Sequence, residues 1–76
     1  MKYVGKVDKR LYAPGSKSEH MAVVIRTEDG EFLLQRVGGN PFRDDVLESL
    51  VGKTIRAEGA ERGTSLFISD WEELKE

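Results

Sequence analysis

The Asp29-Gly30 pair lies between two β-rich runs, residues 20–27 and 31–37, and constrains this chain more than any other feature. Two such residues flanked by Val, Ile, Phe and Leu predict a tight two-residue hairpin. A two-residue turn sets the register. The expected pairing puts Glu28 against Glu31, Arg26 against Leu33, Ile25 against Leu34, Val24 against Gln35 and Val23 against Arg36. Side chains alternate along a strand. Met21, Val23, Ile25, Phe32 and Leu34 therefore share the expected core face. Ala22, Val24, Arg26, Leu33, Gln35 and Val37 share the opposite face, which is unusually aliphatic for an outer one. The Glu28–Glu31 opposition costs roughly a few tenths of a kcal/mol.

The flanking sequence supplies the other elements. Residues 2–12 read as a first strand that Gly5 interrupts, as at a bulge or bend. Such a bend sets Val4, Val7 and Leu11 inside and Asp8, Arg10 and Tyr12 outside. Residues 13–19 are a loop by composition. Gly38-Gly39 ends the third strand, and Asn40-Pro41 reads as an N-cap followed by proline at the first helical position. Asp44 and Asp45 then fall where a helix dipole favours acids. Phe42, Val46, Leu47, Leu50 and Val51 form one helical stripe, and Gly52 stops it. The helix is expected at about 41–51. Residues 53–60 alternate strictly, with Ile55, Ala57 and Gly59 on one face and Thr54, Arg56 and Glu58 on the other. Residues 61–64 turn the chain. Residues 65–70 form a last strand whose parity stays open, because Leu66, Phe67 and Ile68 are all apolar. Residues 71–76 read as a short helical or frayed tail.

This is one domain over residues 1–76. At 76 residues with no cysteine, it buries only about 60% of its unfolded surface and has no disulfide to compensate. Five short strands also leave long edges exposed unless the sheet closes on itself. A helix between the third and fourth strands suits a plug for one end of such a barrel. An SH3-like barrel, the nearest rival, carries only a short 3₁₀ turn late in the chain. The expected fold is all-β, a small five-stranded barrel with one α-helix between strands three and four.

Four stretches carry a resemblance. They are Gly5-Lys6-Val7, Thr27-Glu28-Asp29-Gly30-Glu31-Phe32, Leu50-Val51-Gly52-Lys53-Thr54-Ile55-Arg56-Ala57-Glu58-Gly59 and Leu66-Phe67-Ile68. They resemble OB-fold domains of the anticodon-binding and replication-protein-A types, at the level of the superfold. The aromatic runs of cold-shock domains are missing. The resemblance implies a binding surface on the outer face of strands two and three, here Ala22, Val24, Arg26, Leu33, Gln35 and Val37. It also implies flanking loops that supply Tyr12, Ser16, Lys17 and Ser18 on one side and Glu61, Arg62 and Thr64 on the other.

Composition limits the function. Without cysteine there is no Cys-based zinc site. No apolar run approaches the length of a membrane span, and the N-terminus lacks the apolar core of a signal peptide. A soluble, cytoplasmic domain is expected. Catalysis needs converging groups, and the chain has one histidine, His20. Asp44 and Asp45 are neighbours on a helix, pointing about 100° apart, which suits a dipole better than a metal. Gly15-Ser-Lys-Ser lacks the spacing and context of a phosphate loop. No catalytic residue, metal or cofactor is expected.

Two binding readings remain. Residues 1–26 carry six basic and two acidic side chains, and residues 27–76 carry six and twelve, so a net +4 precedes a net -6. The aliphatic face of strands two and three suits a protein partner or a second copy of the chain. The alternative is a weak single-stranded nucleic-acid binder using Lys9, Arg10, Tyr12, Lys17, Arg26 and Arg62. The expected platform has no aromatic residue for base stacking, and the overall charge of -2 gives no general attraction to phosphate. Protein is the first expectation.

Overall fold

Strand β1 (Lys2–Tyr12) pairs antiparallel with β2 (His20–Thr27) from Gly5 to Tyr12 and with β4 (Thr54–Arg62) from Lys2 to Lys6. Strand β3 (Gly30–Arg36) follows β2, helix α1 (Asp45–Ser49) follows β3, and β5 (Ser65–Leu74) ends the order. In this computed structural model the sheet closes in the order β1-β2-β3-β5-β4, with β4 returning to β1. Only β3 and β5 run parallel. The structure describes residues 2–12, 15, 17, 20–39 and 44–74, with the backbone alone for Tyr12 and His20. Among these, α1 is the single helix, and no helix is long and apolar enough to cross a membrane.

Ile25, Ile55, Leu66, Ile68 and Val7 fill the ring and are fully buried. Burying each contributes about 1.5–3 kcal/mol. Leu47 of α1 and Leu50 at its C-cap join this core, as the stripe predicts, while Val46 of the same stripe is exposed. Trp71 packs on the core from β5.

Two glycines sit where strands approach most closely. A Cβ at Gly5 would lie 2.3 Å from the Arg26 carbonyl oxygen, and one at Gly59 would lie 2.0 Å from that of Phe67. Neither gap admits a side chain.

Several expectations need correction. Gly5 does not reset the parity of β1. Tyr3, Gly5 and Val7 alternate inward without a break, so Val4 faces outward and is 50% exposed, while Leu11 shares the parity of Val7 and is nevertheless 46% exposed near the end of the strand. The hairpin turns at Glu28-Asp29, with Thr27 opposite Gly30. The Thr27 hydroxyl donates to the Gly30 carbonyl at 2.9 Å and accepts from the Asp29 N–H at 3.2 Å, holding the turn there. The register then sets Arg26 against Glu31, Ile25 against Phe32 and Val24 against Leu33. A like-charge pair is avoided and an opposite-charge pair is gained. The slip is two residues, so each side chain keeps its face.

The helix begins at Asp45, because Asp44 is extended (φ -134°) and caps it by accepting from the N–H groups of Val46 and Leu47. The expected cap Asn40, Pro41 and Phe42 lie outside the described residues. Residues 71–74 are not a helical tail. They continue β5 against residues 54–57 of β4. Ser69 is an extra residue there, since Ile68 faces Gly59 while Asp70 faces Glu58. This bulge shifts the alternation by one and turns Trp71 inward beside Ala57. The parity of β5 thereby resolves, with Leu66 and Ile68 inside and Phe67 outside.

Candidate functional site

The outer face of β2 and β3 differs from an open aliphatic platform. Val24 is buried at 2% exposure, although it points away from the core. The register explains this. Asp8 and Leu33 flank Val24 directly, and Arg10 and Glu31 lie on its two diagonals. Arg10 pairs with Glu31 at 2.6 Å, so this ion pair spans β2 above Val24. Arg26 also reaches Glu31 at 3.2 Å and approaches Asp8 at 4.0 Å. Four charged side chains thus cover the centre of the expected platform. Ala22 and Leu33 are half-buried.

The same pairs answer the charge of the N-terminal third. Arg10 and Arg26 are held by Glu31, and Lys9 is held by Glu48 of the helix. Lys9 also has the opposite parity to Arg10 on β1, so the two do not form one track. Lys17 is exposed in its turn. The side chain of Tyr12 lies outside the described residues, as do Ser16 and Ser18. Tyr3 is buried in the core, edge-on to Phe32 at 6.2 Å between ring centroids. Burial raises its phenol above the ordinary value, and Glu61 and Asp29 push it the same way.

A groove of about 650 Å³ lies beside this network, on the outer face of β3, β5 and β4. Gln35, Phe67 and Ala60 form a row across its floor, because Gln35 pairs with Phe67 and Phe67 with Ala60. Val37, 64% exposed, stands on one wall with Gly38 and Gly39. Glu58 and Arg62 stand on the other wall, at either side of Ala60 on β4. Gln35 and Val37 of the expected β2–β3 surface line this groove, and so does Arg62 of the expected basic set. The residue that sequence reasoning missed is Phe67. No local signal assigns Phe67 a face, because Leu66 and Ile68 on either side of it are apolar too.

The charges around the groove are of two kinds. Arg36 is tied to the helix cap, with its Nε donating to Asp44 Oδ2 at 2.7 Å. The hydrogen bond from Arg36 holds the Asp44 carboxyl below the usual carboxylate range, helped by the Val46 and Leu47 amides, and the same bond raises Arg36. Arg36 therefore anchors α1 to the end of β3. Glu58 and Arg62, in contrast, have no ion-pair partner among the described residues. Lys2 faces Glu58 across β1 without pairing to it. The groove so combines an outward aromatic ring, small apolar neighbours, one amide side chain and one free charge of each sign. Such a surface can take up an apolar side chain and orient polar groups around it. Among the described residues, no cluster of three or more His, Asp or Glu is arranged to hold a metal.

Compared with protein-family models, curated proteins and solved structures, the chain matches none.

Proposed function

We propose that this chain is a non-catalytic binding module of the OB type that contacts a protein partner through the β3–β5–β4 groove. The OB reading is supported by the ring order β1-β2-β3-β5-β4, the parallel β3–β5 pairing and the helix between β3 and β4. One observation carries the functional reading. Phe67 points outward into an apolar groove, while the neighbouring β2–β3 face is covered by its own ion pairs. Aromatic residues flanked by small apolar ones anchor protein contacts well. A phosphate backbone finds little here. Lys9, Arg10 and Arg26 are already neutralised, and Glu58 repels anions from the same wall as Arg62.

The test compares two probes on ¹⁵N-labelled protein at low salt. One is a blocked pentapeptide with Leu at its centre, and the other is an eight-nucleotide thymidine oligomer. The peptide is expected to shift the Gln35, Ala60 and Phe67 amides, and Phe67→Ala to abolish the shifts in a protein that stays folded. An oligonucleotide that shifts these amides where the peptide does not overturns the reading in favour of nucleic acid.

A further inference from the structure

The geometry points to a groove that selects an extended segment of a partner protein with an apolar centre and opposite charges two residues to either side. This rests on the protein-binding reading above and adds what the segment must look like. Glu58, Ala60 and Arg62 are successive outward residues of β4, since Ile55, Ala57 and Gly59 face inward. Ser69, the extra residue of the bulge, lies on β5, so the alternation of β4 is unbroken there. At about 3.3 Å per residue, the two charges stand about 13 Å apart along the strand. An extended chain spaces its own residues i and i+4 by the same distance. A segment lying along β4 with residue i+2 over Ala60 and Phe67 therefore brings residues i and i+4 to Glu58 and Arg62. Residues i, i+2 and i+4 of an extended chain share one face, so all three can point into the groove at once.

Charge complementarity decides the ends. Glu58 calls for a basic side chain and Arg62 for an acidic one. A segment with two acidic ends meets Glu58 with a like charge, and one with two basic ends meets Arg62 in the same way. A nucleic-acid strand carries the same charge at every step and cannot satisfy both walls.

The experiment uses the full chain and four blocked pentapeptides, each with Leu at the centre and Ser at positions two and four. Their ends are one Lys and one Glu, two Glu, or two Lys. Because the peptide can lie in either direction, the mixed peptide is tried in both orders. Affinities are read from the shifts of the Ala60 and Phe67 amides. Wild-type protein is expected to bind the better mixed peptide roughly two- to five-fold more tightly than either uniform one, the scale of one exposed ion pair. Glu58→Lys should move the preference to the doubly acidic peptide, and Arg62→Glu to the doubly basic one. Both residues are exposed, so both variants keep the fold. Equal affinity for all peptides, or a preference unchanged in the variants, overturns this inference and leaves the protein-binding groove standing. Shifts from the thymidine oligomer alone overturn both.

Discussion

Asp44 offers the sharpest test of how the helix is held to the barrel. Its side chain is 6% exposed and accepts three hydrogen bonds, from Arg36 Nε and from the amides of Val46 and Leu47. Replacing an N-cap aspartate by alanine costs about 0.5–2 kcal/mol. A hydrogen bond to a charged group adds to this. Arg36 is 32% exposed, so its share is kept small for solvent screening. Asp44→Ala should therefore cost about 2 kcal/mol. Asp44→Asn keeps a capping oxygen and loses the charge, and should cost about half of that. The single tryptophan, Trp71, packs on the core and reports unfolding by fluorescence. With a urea slope of about 1 kcal/mol/M for a small domain, the midpoints should fall by about 2 M and about 1 M at pH 7. The pH dependence follows from the lowered carboxyl. Its contribution is complete above the ordinary aspartate range, near pH 4, and is lost as pH falls through the still lower folded value. The gap between wild type and Asp44→Asn should then narrow well below pH 4. A midpoint at pH 7 that Asp44→Ala leaves unmoved, or a wild-type advantage over Asp44→Asn of equal size at pH 2 and pH 7, refutes the reasoning.

Other expectations follow from the same geometry. Gly59→Ala drives a Cβ to 2.0 Å from the backbone of β5 and should leave little folded protein by circular dichroism, because backbone on both strands must move. Trp71→Ala should cost about 3 kcal/mol or more, whereas Phe67→Ala, outward on the same strand, should cost less than half as much, both read from urea titrations followed by circular dichroism. Glu31→Gln removes the shared partner of Arg10 and Arg26 and should cost about 1 kcal/mol at low salt, shrinking in 1 M NaCl. Ultraviolet titration should find the Tyr3 phenol ionising above its ordinary value of 10.0. Folding favours the protonated form, so this contribution is complete below pH 10 and is lost as pH rises past it.

What was legible in the sequence was local. Alternation placed Ile25, Leu34, Ile55 and Ala57 inside, and the order of elements implied a closed sheet with a helix between the third and fourth strands. These follow from a two-residue period and from backbone groups that need partners, both of which a linear chain displays. The Asp29-Gly30 pair that marked the hairpin was one residue late as a turn. A threonine hydroxyl and a cross-strand Arg26–Glu31 pair chose the register, and neither acts until the strands meet. The same holds for the helix cap, where Asp44 is selected by Arg36 eight residues earlier.

The candidate site was legible only in part. Gln35, Val37 and Arg62 could be named from the chain, but not that they share one groove, because β3 and β4 meet through β5. Phe67 could not be assigned a face among three apolar neighbours. A single extra residue at Ser69 turns Trp71 into the core and leaves Phe67 outside. The sequence by itself determined the order of the elements and the inward alternation of β2, β3 and β4. The tertiary structure alone decided which charges neutralise one another and which aromatic ring is left over. Both depend on distances between strands far apart in the chain, which pairing sets and composition does not.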